Sequence, residues 1–459
     1  MKNNHVTKKD ANIIAIATLV FIGGCILLNA SLFWSFLCSV VFAYLLLLRR
    51  GFSAYALGQM ITEGLIECKP FFLLILLIGA TVSIWLSSGV VPAMIYYGFQ
   101  YMQEMNFLLA AFLITSLMAI FIGTAVGTVS TIGIALLGIG RGFGIPEGML
   151  LGAIVSGAYL ADKISPISGL LNLTLSTTQT TYKETLKSMA KTLIPVYLLT
   201  AAIYTMLGEG YSVSADAGTL MDYQTAILQG FNISPLLLLL PLGVLCLTIA
   251  GVKIIPTISL GLIGGIIISI GMQKMTFNHV IGAMVFGFRG NTASIELNKI
   301  LYSGGIVAMI EVVLIVAGAI ALSSLLERCG LIKLVVNKVI DRVKSKRQLI
   351  LKTGMISSIL TVATCDQAVG IIIPGRLLQT KYTEVGLDNK ALARTISDTG
   401  TIIAPLIPWN VNALIIGMIS GIATINYAPY AVLCYIFPLA TLAIGGGFEF
   451  KKQRRVEKA

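Results

Sequence analysis

Three aspartates lie within stretches of this chain that are otherwise too apolar to hold charged side chains. Asp162 occurs in VSGAYLADKISPISGLLN (155–172), Asp366 in TVATCDQAVGIIIPG (361–375) and Asp398 in ARTISDTGTIIAPLIPWN (393–410). A charged side chain at the centre of a bilayer costs roughly 2.5–3.5 kcal/mol or more, so its presence there indicates a functional site. We therefore predict that these three carboxylates bind an ion or a substrate.

A buried carboxylate can couple the movements of two cations. Burial disfavours its charged form, and either a proton or a metal cation neutralises it, so sodium and protons compete for the same group. Hard cations favour clusters of oxygen ligands, as calcium and magnesium do. The segment SDTGT around Asp398 offers such a cluster, and we predict Na+ near Asp398 and Asp366.

The candidate binding residues share side chains with oxygen atoms inside the polar-interrupted segments. They are Asp398, Thr399, Thr401, Asp366, Asp162, Ser165, Ser168, Asn172, Thr128 and Asn410. Secondary candidates carry charge or an amide, in part from the stretch FRGNTASIELNK (288–299): Lys163, Arg289, Asn291 and Glu296. Asp162 could instead form a purely structural ion pair with Lys163 or Arg289.

The composition is that of an integral membrane protein. The 459 residues are 56% hydrophobic and 11% charged, with a mean hydropathy of +0.91, whereas soluble domains carry about 25% charged residues. Apolar runs near the length of a membrane span recur at 11–29, 31–48, 70–91, 106–123, 148–161, 190–207, 233–250, 254–273, 303–326, 350–374, 411–425 and 428–447. We predict an all-α polytopic membrane protein with about ten to thirteen membrane segments.

Two regions rich in glycine, proline and hydroxylated residues interrupt these runs in a similar order. The first comprises 123–140 and 157–172, and the second comprises 361–375 and 393–410. Such matched breaks are typical of secondary transporters built from repeats, because backbone groups freed at membrane depth must line a protein cavity. The alternative is a set of kinked helices that pack closely through small residues.

The order of these features predicts five regions. They are an N-terminal helical hairpin with an amphipathic connector (1–69), a first transport repeat (70–207), an acidic external loop with connecting helices (208–302), a second transport repeat (303–447) and a basic tail (448–459). The first apolar run could also begin a cleaved signal peptide, but a second run follows at once and ends at Arg49 and Arg50, which favours a retained hairpin.

Enzymatic and nucleic-acid-binding functions are not indicated. The net charge of +12 is concentrated in particular loops, seven cysteines are scattered without a Cys-x-x-Cys pair, and there are only two histidines. The sequence contains no Walker A motif for ATP. We expect no cofactor beyond transported Na+ and H+, and we expect membrane lipid and a small cation or small organic substrate as partners.

In these same segments the chain resembles the NhaC-type sodium/proton antiporter family. The resemblance covers most of residues 70–447 and rests on the glycine-threonine segment at 123–133, SGAYLADKISPIS (156–168), Asn291 with Glu296, Ser303-Gly304-Gly305, Asp366-Gln367, Pro374-Gly375, SDTGT (397–401) and PLIPWN (405–410). It implies an inverted-repeat secondary transporter with discontinuous or re-entrant helices in the cytoplasmic membrane, and a homodimer as a candidate assembly.

One departure from the family pattern affects the expected substrate. After DKISPIS the family typically continues Ser-Asp-Thr-Thr-Asn, whereas this chain has Ser168-Gly169-Leu170-Leu171-Asn172. A sodium site in the first half would then be weaker, or reshaped for an organic substrate. The resemblance thus favours a Na+(cation)/H+ antiporter, with an ion-coupled exchanger of small organic anions or amino acids as the alternative. A passive channel or a scaffold is a third class, distinguished by the absence of coupling.

The distribution of basic residues predicts the membrane topology. Lysine and arginine cluster at 8–9, 49–50, 183–191, 333–352 and 451–458, whereas 208–231 carries only acidic charges. Since cytoplasmic loops are enriched in Lys and Arg, both termini should be cytoplasmic and 208–231 external; the charges of 376–394 do not assign that loop to a side. In intact cells expressing a variant without native cysteines, an impermeant thiol reagent should label Ser214→Cys and not Ser345→Cys. The reverse pattern would invert the topology.

Overall fold

The described part of the chain is helical. In the computed structural model these are residues 6–28, 30–102, 105–211, 217–331, 343 and 345–444, where the only β-type pairing is an isolated bridge between Arg289 and Tyr302. The predicted all-α class is confirmed. The predicted basic tail, 448–459, lies outside these residues, as do 212–216 of the acidic loop and 332–342 of the basic loop.

The first half of the chain forms twelve helices within the described residues. They are α1 Lys8–Leu27, α2 Leu32–Arg49, α3 Ala54–Glu67, α4 Lys69–Ser87, α5 Val90–Tyr101, α6 Phe107–Ile122, α7 Ala125–Thr128, α8 Ile134–Gly142, α9 Glu147–Ala158, α10 Ala161–Ile164, α11 Gly169–Thr178 and α12 Tyr182–Glu209. A π-helical segment, Val129–Gly133, joins α7 to α8.

The described remainder contributes the helices of the connecting region and of the second half. They are α13 Ala217–Gly230, α14 Leu239–Ile249, α15 Ile254–Gly271, α16 Phe277–Phe286, α17 Ile295–Ile300, α18 Gly305–Arg328, α19 Lys346–Thr364, α20 Gln367–Leu377, α21 Gln379–Glu384, α22 Asn389–Ile396, α23 Val411–Ser420, α24 Thr424–Tyr427 and α25 Val432–Ile444. The second π-helical segment, Ser397–Thr401, extends α22, and 3₁₀ turns form at Pro235–Leu238, Ala404–Leu406 and Ala428–Tyr430.

Many of these helices are long and apolar enough to cross a bilayer. Among the described residues, eight helices meet that length and composition, or up to eleven if each of three bent helix pairs forms one span. The larger number falls within the predicted range of about ten to thirteen. The bent pairs include Asn389–Leu406 with Val411–Ser420 and Thr424–Tyr430 with Val432–Ala443. The chain is therefore a multi-pass membrane protein with broken helices.

One helix break has the same backbone form in both halves. Helix α6 ends at Gly123 with φ of 75°, and the extended Thr124 then starts α7. Helix α19 ends at Cys365 with φ of 61°, and the extended Asp366 then starts α20. Glycine adopts this left-handed conformation freely, whereas it is uncommon for other residues. At both points one helix follows another with only two non-helical residues between them.

A second break also recurs. After α10 the backbone becomes extended at Ser165, and Ser168 caps the start of α11. After the turn Ala404–Leu406 it becomes extended at Ile407, and Asn410 caps α23. The serine, proline and asparagine residues of the sequence motifs lie in these extended connections, which explains why polar residues interrupt the apolar runs.

A close crossing of α6 and α9 holds the first-half break in place. At Gly157 of α9, a Cβ atom would lie 2.6 Å from the carbonyl oxygen of Phe112 and 2.9 Å from the backbone nitrogen of Ser116, and it would also collide with the Thr115 hydroxyl. Two of these atoms belong to the backbone of α6 and cannot rotate away. Only glycine fits this crossing at the observed distance between the two helices.

We expect Gly157→Ala to destabilise the protein by roughly 1–3 kcal/mol, the usual effect of overpacking. The matched control is Gly282→Ala in α16, where no atom lies within 4 Å of the added Cβ and alanine favours the helix by up to about 1 kcal/mol. Thermal unfolding of the purified proteins in detergent should show a lower Tm for Gly157→Ala only. Equal Tm values in the two variants would contradict the crossing.

Candidate functional site

A cavity of about 1110 Å³ lies where the helix breaks of both halves meet. Each break contributes residues to its wall: Thr124 and Ala125 at α6–α7, Asp162 and Gly169 at α10–α11, Asp366 and Gln367 at α19–α20, and Val411 and Asn412 at the start of α23. Apolar side chains from α4, α6, α14 and α15 form much of the remaining wall. The predicted convergence of broken helices on one cavity is thus present in the structure.

At the four helix breaks, each helix that begins there has one backbone N–H of its first turn capped by a side chain. The hydrogen bonds, donor first, are Gly127 N to Thr124 Oγ1 (2.9 Å), Leu171 N to Ser168 Oγ (3.4 Å), Ala368 N to Asp366 Oδ1 (3.0 Å) and Asn412 N to Asn410 Oδ1 (3.0 Å). At the left-handed breaks the end of one helix meets the start of the next, so their opposite partial charges largely offset each other. Full charges therefore dominate the electrostatics of the cavity.

Asp162 and Asp366 are the two carboxylates among the described residues of the cavity wall. Asp162 is 7% exposed, and the Ser168 hydroxyl donates to it at 3.4 Å. Asp366 accepts the backbone N–H of Ala368. Within the part of the chain that the structure describes, neither carboxylate forms an ion pair. Both can therefore meet a cation from the cavity.

Asp398 is placed differently from the sequence prediction. It does not line the cavity, and Oδ1 forms an ion pair with Lys163 Nζ in which both side chains are wholly buried. Oδ2 accepts hydrogen bonds from the hydroxyls of Thr192 (2.8 Å) and Thr441 (2.6 Å). Both oxygens are thus engaged, and in this arrangement a sodium ion at Asp398 would have to displace Lys163.

The alternative that Asp162 forms a structural ion pair with Lys163 is wrong, because Lys163 pairs with Asp398 instead. The ammonium of Lys163 also lies 4.2 Å from the centroid of the Phe437 ring, which favours a buried cation. Adjacent residues of the short helix α10 therefore have opposite roles: Asp162 faces the cavity, and Lys163 joins α10 to the π-helical segment Ser397–Thr401.

The other predicted binding residues are not among the described residues that line the cavity. Most of them have hydroxyl or amide groups bound to the protein: Thr128 Oγ1 donates to Thr124 O, Ser165 Oγ to Ile120 O, Thr399 Oγ1 to Thr395 O, and Asn172 Nδ2 to Pro166 O and Ser168 O. Ser168 and Asn410 cap helices, and Thr401 is buried. None of these residues is among those that line the cavity.

The polar stretch 288–299 contributes no described side chain to the cavity wall. Arg289 and Asn291 are exposed, and the guanidinium of Arg289 lies 5.6 Å from the centroid of the Tyr302 ring. Neither of them is among the residues that line the cavity, and the side chain of Glu296 lies outside the described part of the structure. The structure does not bring these secondary candidates together with Asp162 and Asp366.

Two amides of the cavity wall were missed by the sequence prediction. Asn412 Nδ2 donates to Gln367 Oε1 at 2.6 Å, and Gln367 Nε2 donates to the carbonyl oxygen of Thr401. Each amide lies within two residues of a predicted site residue, and this proximity could have identified them. No sequence signal identifies Thr192 and Thr441, because they reach Asp398 from distant helices.

Of the three residues that differ from the family pattern, 169–171, two line the cavity and one is buried in the protein interior. Gly169 and Leu170 line the cavity, and no atom lies within 4 Å of the position that a Cβ would take at Gly169. Leu171, in contrast, is 2% exposed and packs with Leu175 and Met189. Of the two leucines, only Leu170 therefore adds an apolar side chain to the cavity wall, and open space remains at Gly169.

The buried ion pair predicts a specific pattern of stability. Asp398→Asn leaves the ammonium of Lys163 buried without a counter-charge, which typically costs about 3–5 kcal/mol. Lys163→Met combined with Asp398→Asn removes both charges and should recover much of the lost Tm in detergent. The control is Asp222→Asn, which changes an exposed carboxylate of α13. A double variant no more stable than Asp398→Asn would contradict the pairing.

Comparisons with known proteins agree with this architecture. A family model described as the Na+/H+ antiporter family matches residues 157–445. The Na(+)/H(+) antiporter NhaC of Bacillus subtilis (strain 168) is 31% identical over 399 residues, which are 86% of this chain and 88% of that protein. The malate-2H(+)/Na(+)-lactate antiporter of the same organism is 30% identical over 395 residues (86% and 84%), and the arginine/ornithine antiporter ArcD of Halobacterium salinarum is 28% identical over 396 residues (85% and 80%). With a family match over most of its length and relatives of this similarity, the chain belongs to the Na+/H+ antiporter family and is a secondary antiporter of the NhaC type.

Proposed function

We propose that this antiporter exchanges sodium for protons, and that Asp162 and Asp366 are the carboxylates that bind them. The observation that carries the proposal is that both line one cavity at helix breaks and neither has an ion-pair partner among the described residues. A sodium/proton antiporter is also among the similar proteins. The two carboxylates come from different halves of the chain, so a relative movement of the halves would change the site that they form together.

Competition at these carboxylates provides the coupling. A carboxylate that is largely removed from water is poorly tolerated as a bare anion, and either a proton or sodium neutralises it. Sodium arriving from one side releases the proton, and a proton arriving from the other side releases sodium. Because the empty, charged form is disfavoured, each ion leaves chiefly when the other replaces it, and this is the condition for exchange.

The Lys163–Asp398 pair has a positioning role in this proposal. It joins α10 to the segment Ser397–Thr401 of the second half. Since Asp162 precedes Lys163 directly, the pair fixes the backbone that presents Asp162 to the cavity. The pair also keeps a buried cation away from Asp162, whose negative charge then remains available to a transported ion.

The proposed orientation follows the basic loops. Cytoplasmic termini and an external 208–231 segment would place the protein in the cell membrane with the basic segment near 345–352 on the cytoplasmic side. Sodium would then leave the cell as protons enter, if the proton gradient is directed inward.

We expect Asp162→Asn and Asp366→Asn each to reduce sodium-driven proton movement at least tenfold, because asparagine keeps the shape of the side chain but neither ionises nor titrates. The assay is a pH-sensitive dye in proteoliposomes that receive sodium, lithium or potassium. Asp222→Asn is the matched control, since it makes the same change at an exposed position. Normal sodium-driven proton flux in folded Asp162→Asn and Asp366→Asn would refute the assignment.

A further inference from the structure

We propose that the cavity also accepts an organic substrate with a primary ammonium group on an apolar body, which it exchanges in place of sodium. This inference rests on the proposed function, because the ammonium would bind at the same carboxylates, Asp162 and Asp366. It adds a substrate class that the sodium proposal does not require.

The size of the cavity is the first argument. Its volume is about 1110 Å³, whereas a sodium ion with six waters needs roughly 180 Å³ at about 30 Å³ per water. Pockets for organic ligands typically measure about 300–1,000 Å³. The space is therefore large for an ion alone and is suited to a molecule with a carbon skeleton.

The wall of the cavity is the second argument. Apolar side chains surround most of the space: Phe71, Ile75, Ile78, Met118, Ile122 and Leu170. Such a wall offers a hydrated ion no ligands, but it stabilises an apolar body by roughly 25 cal/mol for each Å² removed from water. Gly169 also lines the cavity, and no atom lies within 4 Å of the position that a Cβ would take there, so the wall is open at this residue.

The charge of the cavity wall is the third argument, and it selects an amine over an organic anion. Among the described residues the wall contains two carboxylates, Asp162 and Asp366, and the neighbour of Asp162 in sequence, Lys163, is committed to Asp398. The helix starts at the four breaks each cap one of their own N–H groups, so they offer fewer donors to an anion, whereas the start of α15 has no side-chain cap. Lys253 also lines the cavity, at the exposed start of α15, so a zwitterion could place its carboxylate there.

A matched series of ligands tests the charge. Phenethylamine, phenylalanine and 3-phenylpropionate share an aromatic body and differ in charge. Phenethylamine carries an ammonium group, 3-phenylpropionate carries a carboxylate, and phenylalanine carries both. Phenethylamine should raise the Tm of the purified protein and compete with sodium in the proteoliposome assay, and 3-phenylpropionate should do neither. Methylamine, which lacks the apolar body, should bind at least tenfold more weakly. Asp162→Asn should lose the phenethylamine effect.

Two variants test which part of the cavity wall binds each part of the organic substrate. If amino acids are the source of the ammonium group, Lys253→Gln should weaken the binding of phenylalanine several-fold and leave the binding of phenethylamine unchanged. If the variant affects both compounds equally, simple amines are the better substrates. Gly169→Asp with Leu170→Thr fills the open space with oxygen atoms, so it should lower the apparent affinity for phenethylamine and raise that for sodium. If both affinities change in the same direction, the space beside Gly169 is not part of the organic site.

The outcomes distinguish this inference from the sodium proposal. Sodium-driven proton flux without any binding of phenethylamine or phenylalanine would overturn the inference and leave the sodium proposal intact. Amine-driven proton flux without a response to sodium would support the inference and refute sodium as the transported cation. Stronger binding of 3-phenylpropionate than of phenethylamine would overturn the inference.

Discussion

The architecture depends on the requirement that no backbone polar group faces lipid unpaired. A helix satisfies this requirement along its length, and a break does not, so every break must be enclosed by protein. In this chain the breaks of both halves are enclosed together, at Gly123, Ser165, Cys365 and Ile407. The cavity follows from this arrangement, because four helix ends that meet cannot fill the space between them.

The fate of two adjacent residues shows how the fold separates structural charge from functional charge. Asp162 and Lys163 occupy one short helix, but the lysine is neutralised by Asp398, whose other oxygen accepts hydrogen bonds from Thr192 and Thr441. Asp162, in contrast, has no counter-ion among the described residues. A buried charge that is fully satisfied contributes to a unique structure. A buried charge that lacks a partner destabilises the empty site and gives a ligand its affinity.

The sequence predicted the elements and their breaks better than the pairing of side chains. The breaks were predictable because a helix interrupted at membrane depth requires glycine, proline or a capping residue, and these occur at Gly123, Ser168 and Asn410. The partner of Asp398 could not be predicted, because Lys163 lies 235 positions away in sequence. The oxygen-rich composition around Asp398 indicated a binding site, but the Asp398 carboxylate forms a buried ion pair and the Thr399 hydroxyl donates to a backbone carbonyl.

The departure from the family pattern illustrates the same limit. The sequence indicated that oxygen atoms are lost at 169–171, and the structure shows that the loss affects the cavity at Gly169 and Leu170 but not at Leu171. Three consecutive residues at the start of a helix point in different directions, so a motif can be changed in part without a change at the site. Only the three-dimensional position of each residue separates these effects.

The side-chain caps at the four helix breaks affect how much free energy a ligand loses when it binds. Thr124, Ser168, Asp366 and Asn410 hold the starts of their helices through bonds within the chain. A ligand therefore does not have to order the polar end of the cavity when it binds, and less of its interaction energy is consumed by lost conformational entropy. The free energy that is not consumed in ordering the site is available as affinity for the ligand. Because neither binding nor release folds or unfolds these helix starts, no local folding step limits how fast the site can fill or empty.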